Sequence, residues 1–138
     1  MLLICNRSAE TTPIAIPATD TQIPFDTTVL ATNGNLVLNS NDVNAVAEGV
    51  YESICEVSVT NSSSSAAVTV TLTAYADGKA VTDATASQTI GASERATLIL
   101  PWATKVVSSQ TGTAKIAWHL SGGAVNLNGA IARISKVV

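Results

Sequence analysis

The strongest indication of the fold is the stretch VTVTLTAY, residues 68–75. Valine, leucine and alanine alternate with threonine and tyrosine, so that successive side chains point to opposite faces of a strand. β-Branched residues on both faces fit a pleated surface that is wet on one side. The pair Asp77-Gly78 follows, and both residues tolerate the positive φ angles of a tight turn. The stretch therefore predicts an antiparallel strand that continues into a hairpin.

The same period of two recurs elsewhere in the chain. Residues 51–60 place Tyr51 and the other odd-numbered residues on one face and two glutamates on the opposite face. Residues 114–120 alternate in the same way, with Trp118 on one face and His119 on the other. Further strands are predicted at residues 22–28, 35–38, 79–81, 85–90, 95–100, 105–108 and 125–137. About eight to ten short strands at this spacing are typical of an antiparallel β-sandwich or barrel.

The sequence also predicts where some strands end or are interrupted. Pro101 is expected to end the strand before it, because proline cannot donate to a central ladder. Residues 39–44 are predicted to form a polar loop. The last segment is expected to break near Gly129, with Ile131 and Ile134 in the core.

Charged residues are scarce in this chain of 138 residues. They make up 12% of the sequence, and the net charge is −3; the usual share is about 25%. The seven cations are isolated, so no phosphate-binding surface for nucleic acid is expected. No apolar run has the length of a membrane span, and no secretory signal is expected. Edge strands are normally guarded by charge, so the scarcity of charge predicts that other subunits cover much of the surface.

Residues 1–24 differ from the rest of the chain. Their three prolines favour extended backbone. They also contain the large aliphatic residues Leu2, Leu3, Ile4, Ile14, Ile16 and Ile23. A disordered tail is the alternative, but a purely solvated tail has little need for such residues. The sequence thus predicts an extended N-terminal attachment arm at residues 1–24 and a β-sandwich domain at residues 25–138.

Residues for enzyme chemistry are few. His119 is the one histidine, so every histidine-based acid–base scheme would pass through it. Its strand phase directs it to solvent or to a neighbouring subunit. Glu52 and Glu56 share a strand face, but their Cα atoms are about 13 Å apart, too far for a carboxylate dyad. No enzymatic activity is therefore expected.

Metal and cofactor sites are not predicted either. For Cys5 and Cys55, buried free thiols are favoured over the alternative of a disulfide, because nothing suggests an oxidising compartment. Residues 39–42 are rich in oxygen ligands but lack the calcium-loop pattern, so turn structure is the favoured interpretation. No cofactor and no metal are expected.

Two aromatic residues have alternative interpretations. Trp102 follows Pro101 near a predicted strand end. If it is buried, it closes the end of the sandwich, which is the favoured interpretation; if it is exposed, it could stack on a sugar or a partner. Tyr75 lies on the threonine side of its strand, where it is either a subunit-interface residue or an ordinary surface residue.

The order of these parts resembles that of the tumour-necrosis-factor and C1q-like (TNF/C1q-like) jelly rolls. The parts that carry the resemblance are Phe25, EGVYE at residues 48–52, VTVTLTAY at residues 68–75 and NGAIARI at residues 128–134. They match an aromatic first strand, a glycine–tyrosine lead into a central strand, a long threonine-rich strand and a closing strand. The sequence departs from the commonest spacing in that Tyr51 directly follows Val50.

A chain of this fold that is rich in serine, threonine and alanine also resembles virion proteins of tailed bacteriophages, of the head-fibre or head-decoration type. The resemblance implies a homotrimer on the particle surface, assembled in the bacterial cytoplasm. It implies that the N-terminal arm binds the major capsid protein or another virion protein, and the predicted anchor residues are Leu2, Leu3, Ile4, Ile14 and Ile16. Tyr75 and His119 are the predicted subunit-interface residues.

An alternative function keeps the same fold. The chain could be a carbohydrate- or host-receptor-binding β-sandwich module of a tail fibre or a cell surface. In that case the partner is a glycan or a receptor, and Trp102 is the residue predicted to stack on the ligand.

Overall fold

Twelve β-strands make up the described part of the chain. The structure is a computed structural model, and it describes residues 2–6, 13–32, 36–39, 41–45, 49–106 and 114–137. No helix occurs within these ranges. The strands are β1 (Leu2–Asn6), β2 (Ile14–Ile16), β3 (Thr21–Gln22), β4 (Thr27–Ala31), β5 (Leu36–Asn39), β6 (Asp42–Ala45), β7 (Gly49–Asn61), β8 (Val68–Ala76), β9 (Lys79–Ile90), β10 (Arg95–Val106), β11 (Ala114–Ser121) and β12 (Val125–Lys136).

The strands form two sheets of six. Sheet A has the order β10-β7-β12-β1-β4, and β2 also pairs with β12. Sheet B has the order β5-β6-β11-β8-β9, and β3 also pairs with β11. All pairs are antiparallel. The prediction of an antiparallel β-sandwich is confirmed.

The core lies between the two sheets and follows the predicted alternation. In β7, Tyr51 and Val57 are buried while Glu52 and Glu56 are exposed. In β11, Trp118 is fully buried, and its ring packs edge-on against Phe25 with the centroids 5.6 Å apart. The predicted hairpin after β8 is also present: Asp77 has φ 51° and Gly78 has φ 79°. Such angles suit glycine, because it has no Cβ to clash.

The N-terminal strands pair within the sandwich, although residues 1–24 were predicted to be an extended attachment arm. β1 lies between β12 and β4 in sheet A. Leu3 and Cys5 are fully buried in the core, and Ile16 of β2 is nearly so. The aliphatic residues of this segment thus fill inward positions of short strands. Strands of three to five residues carry too little alternation to be recognised without their partners.

Pro101 does not end its strand, contrary to the prediction. β10 continues to Val106, and Pro101 pairs with Ile54 of β7. The reason is the position of β10 at an edge of sheet A, where the side of the strand facing away from β7 needs no donor. Of the strand predicted at residues 105–108, residues 105 and 106 belong to β10, and residues 107 and 108 lie outside the described residues.

The last strand contains a bulge where a break was expected. β12 pairs with β7 continuously except for a register shift between Leu127 and Gly129. The extra residue reverses the phase of the strand, so Leu127 and Ala130 both face the core. Ile134 is buried as predicted, whereas Ile131 is only half-buried. The prediction that Ile131 is a core residue is therefore wrong.

Two other local predictions are corrected. Residues 42–45 form β6 rather than a loop, and β6 pairs with β5 after a turn at Asn41, which has φ 74°. Residues 23–26 are not a strand, although Phe25 is fully buried as a core aromatic. Short strands on either side, β3 and β4, pair with different sheets, so this segment crosses the sandwich.

Candidate functional site

The predicted anchor residues lie within the sandwich. Leu3 and Ile16 are buried, Ile14 packs against the core, and Ile4 is half-buried. The side chain of Leu2 lies outside the described part of the structure. The strand pairing therefore accounts for most of these residues without a second partner.

A row of mostly apolar residues crosses the outer face of sheet A. Pro101 pairs with Ile54, Ile54 with Arg133, Arg133 with Ile4, and Ile4 with Leu30, so the row spans five of the six strands of sheet A. Ile54 is 50% exposed and Leu30 is 44% exposed. Ile99, two residues before Pro101 on the same face, is 54% exposed. We call these six residues the sheet A row: Leu30, Ile4, Arg133, Ile54, Pro101 and Ile99.

Trp102 lies at the margin of this surface. It is half-buried and packs against the core, and its carbonyl accepts a hydrogen bond of 3.1 Å from Ser53 Oγ. A shallow depression of about 420 Å³ lies here, and Trp102 lines it together with Ile54 and Glu52. The role of Trp102 in stacking on a ligand stays a prediction.

Tyr75 and His119 meet on the outer face of sheet B. The register pairs Ala117 with Tyr75 and His119 with Thr73, which makes Tyr75 and His119 diagonal neighbours on one face. Their rings stack with the centroids 3.6 Å apart and the planes inclined by 12°. The sequence placed both residues on outward faces, but their contact depends on a register that sequence periodicity does not give.

Asp20 completes this pair. Its Oδ2 atom lies 2.8 Å from Nδ1 of His119. Partial burial and, after it, the hydrogen bond to Asp20 and the negative charge of Asp20 raise the pKa of Tyr75 above its ordinary value. β3 positions this carboxylate, because Gln22 pairs with His119 and Ile23 N donates to the carbonyl of Trp118 at 2.8 Å. Asp20 lies in the segment predicted to be the arm, and no local pattern marks it as a partner of His119.

A concave pocket of about 310 Å³ adjoins the stacked rings. We call it the Tyr75–His119 pocket, and its lining residues are Gln22, Asp42, Tyr75, Asp77, Gly78, Lys115, Ala117 and His119. Gln22 Nε2 donates to Asp42 Oδ1 at 2.8 Å. The backbone N–H of Lys115 donates to Asp77 Oδ1 at 2.9 Å, and that of Asp77 donates to the Lys115 carbonyl at 2.8 Å. Each carboxylate is thus held in place by one of its oxygens.

The two thiols lie inside sheet A. Cys5 and Cys55 are both free and buried, which confirms the predicted free thiols. Cys5 of β1 and Cys55 of β7 both pair with Ala132 of β12, which lies between them. Their Cα atoms are therefore two strand spacings, about 9.6 Å, apart. A disulfide requires Cα atoms within roughly 7 Å. Burial raises the pKa of Cys5 to about 12, and burial together with Cys5 and Glu56 raises the pKa of Cys55 well above its ordinary value.

Neither a metal-binding cluster nor a membrane-spanning helix occurs in the described residues. No group of three or more histidine, cysteine, aspartate or glutamate residues within the described ranges is arranged to hold a metal ion. The same part of the chain contains no helix of the length and hydropathy needed to span a membrane.

Comparison with solved structures identifies the fold. The globular domain of zebrafish complement 1qA protein superimposes with a TM-score of 0.66 at 10% identity, covering 99% of this chain and 97% of that chain. The Eiger TNF of S. frugiperda gives 0.69 at 11% identity, with 99% and 93% covered. The PRD1 vertex protein P5 gives 0.61 at 18% identity, with 99% and 96% covered. The predicted TNF/C1q-like jelly roll is thereby confirmed.

Sequence comparison adds no relative. No protein-family model matches the chain, and no curated protein matches its sequence.

Proposed function

We propose that this chain is a non-enzymatic structural protein of a bacteriophage virion, which works as a homotrimer on the particle surface. The observation that carries the proposal is the sheet A row, which leaves the side chains of Ile54, Ile99 and Leu30 about half exposed. Contiguous apolar surface of this kind marks an interaction site. Burial of one such side chain contributes about 1.5–3 kcal/mol.

The proposed occupant of this face is a further copy of the same chain. Arg133 lies in the middle of the sheet A row and forms no ion pair with any described carboxylate. Glu52 and Glu56 are exposed on the same face. Both signs of charge are therefore present on one apolar surface, so that the arginine of one copy can meet a glutamate of its neighbour. The trimeric state itself is what the resemblance to TNF/C1q-like jelly rolls implies.

The virion location rests on two further observations. PRD1 vertex protein P5, a phage protein, has the same fold across nearly the whole of both chains. The sequence has few charged residues and is rich in serine and threonine, which suits close contact between subunits because weakly charged surfaces cost little to desolvate.

Contact with the particle through Leu2, Leu3, Ile4, Ile14 and Ile16 stays a prediction. Leu3 and Ile16 are buried, so a contact made by their side chains would require β1 or β2 to leave the sandwich. A capsid protein or another virion protein is the proposed partner.

Two measurements test this proposal. Light scattering on the purified chain is expected to give three times the mass of one chain, and Ile54→Glu is expected to give monomers. Gln88→Glu is the matched control, because Gln88 is exposed on β9 of sheet B and its replacement adds the same charge. A monomeric protein, or an Ile54→Glu variant that still forms trimers, contradicts the assembly. Mass spectrometry of purified virions from the host that carries the gene tests the location, and absence of the chain contradicts it.

A further inference from the structure

We propose that the Tyr75–His119 pocket binds a neutral saccharide. This inference goes beyond the structural function, and its support comes from the opposite face of the sandwich. A volume of about 310 Å³ lies at the lower end of the range for small-molecule sites, roughly 300–1,000 Å³.

An aromatic platform is already in place. Tyr75 and His119 stack on each other at 3.6 Å, and Asp20 holds the imidazole through its 2.8 Å contact with Nδ1. The rings therefore need little further ordering when a ligand arrives, which reduces the cost of binding. Tyr75 is only half-buried, so part of its ring is open to the apolar C–H surface of a sugar. Aromatic rings combine such apolar contact area with a polar edge.

Both donors and acceptors line the pocket beside this platform. Asp42 and Asp77 each have one carboxylate oxygen engaged by a fixed donor within the chain, and their second oxygens can accept further hydrogen bonds. Lys115 is exposed and lines the same pocket, where its ammonium group donates only. A ligand hydroxyl both donates and accepts, so a polyhydroxylated ligand can use both kinds of group. An ammonium ligand could use the carboxylates alone.

Charge argues for a neutral rather than an anionic sugar. The pocket lining contributes two carboxylates, Asp42 and Asp77, and one ammonium group, Lys115. Asp20 lies directly beside the stacked rings and adds a third carboxylate. A sialylated or phosphorylated glycan would bring a further negative charge next to these carboxylates. Like charges repel, so such glycans are disfavoured.

The pocket is compatible with the proposed trimer. It lies on the outer face of sheet B, whereas the sheet A row lies on the outer face of the other sheet. A trimer that buries sheet A would carry three such pockets that remain open. In that arrangement Tyr75 and His119 are not the subunit-interface residues that the sequence predicted. Three weak sites on one particle component would act together through their high effective concentration.

The sequence itself provides the reporter for a test. His119 is the one histidine of the chain, so its imidazole signals in an NMR spectrum report on this pocket without an assignment problem. The protein is first screened on an array of neutral and sialylated glycans. The strongest neutral glycan is then titrated, free in solution, into the wild-type protein and four variants, with tetramethylammonium as a cationic probe.

The expected result is a saturable shift of the His119 signals with the neutral glycan. Tyr75→Ala should weaken binding by about tenfold or more, because it removes the platform. Tyr75→Phe keeps the ring and should weaken binding less, and Asp42→Asn should weaken it by removing one charged acceptor. Gln88→Ala, at an exposed position of β9 that does not line the pocket, should leave binding unchanged. Unchanged mass and thermal unfolding of each variant exclude a folding defect.

Several results would overturn the proposal. They are the absence of any His119 shift with neutral glycans, a shift only with sialylated glycans or only with tetramethylammonium, and full binding by Tyr75→Ala. Failure here is separable from failure of the structural proposal. A trimer without a glycan-induced shift overturns this inference alone, and a monomer that shows the shift overturns the assembly alone.

Discussion

The outer faces of the two sheets rest on similar alternating strands but have different chemistry. On sheet B, outward hydroxyl groups pair with one another across strands: Thr69 with Thr89 at 2.9 Å and Thr71 with Ser87 at 2.7 Å. On sheet A, the residues that β10, β7, β1 and β4 contribute to the sheet A row are aliphatic, whereas β12 contributes Arg133. The inward residues of both sheets form one shared core. The inward-facing residues of the alternating strands thus stabilise the fold. The outward-facing residues make one face hydrophilic and the other suited to contact with another subunit.

The largest expected effect separates the two sides of β1. Leu3 is fully buried, whereas its neighbour Ile4 points to the outer face within the sheet A row. Leu3→Ala is expected to lower the free energy of unfolding by about 2–5 kcal/mol, because it leaves a cavity in the core. Ile4→Ala should lower it much less and should instead weaken assembly. Denaturant unfolding at one fixed protein concentration, with light scattering on the same samples, measures both quantities.

This pair of variants also tests the two interpretations of the N-terminal segment. If residues 1–24 were a separate arm, neither substitution would change the free energy of unfolding. Equal stability of Leu3→Ala and the wild-type protein would therefore contradict the placement of β1 inside sheet A.

The parts predicted correctly from sequence are those with long local periodicity. β7 and β8 alternate over many residues, so their inward and outward faces follow from the period of two alone. The role of Pro101 depends on whether its strand is at an edge, and the phase of Ile131 depends on a bulge opposite β7. Both are properties of pairing rather than of the segment itself. The contact of Asp20 with His119 joins residues that are 99 positions apart, so no local pattern indicates it.

A second, smaller effect is expected at alkaline pH and originates in sheet A. Burial raises the pKa of the Cys5 thiol to about 12, above the ordinary value of about 8.5. The folded state therefore retains protons that the unfolded state releases, so stability is full below the unfolded pKa and falls as pH rises towards the folded pKa. Cys55, whose pKa is also raised, adds to this loss.

Thermal unfolding measured from pH 7 to 11 checks this expectation. The wild-type protein should lose stability above about pH 8.5, and a Cys5→Ala, Cys55→Ala double variant should lose less over the same range. A thiol reagent should react with the folded protein only after denaturant is added, since the thiolate is the reactive form. Rapid reaction of the folded protein would show that these thiols are not inside the core.

The smallest expected effect concerns the hydrophilic face and the contact of Asp20 with the stacked rings. The hydrogen bond to Asp20 and the charge of Asp20 raise the pKa of Tyr75 in addition to the effect of burial. Asp20→Asn removes the negative charge and should bring the pKa of Tyr75 closer to its ordinary value, because the phenolate is then no longer repelled. An NMR titration of the Tyr75 ring in a Tyr51→Phe background measures this, since burial also raises the pKa of Tyr51.

Asp20 is 48% exposed and therefore well solvated, so the free energy of unfolding should change little in Asp20→Asn. An unchanged Tyr75 titration in Asp20→Asn would mean that Asp20 does not hold the stacked rings, and the preorganised platform proposed for the saccharide would lose its support.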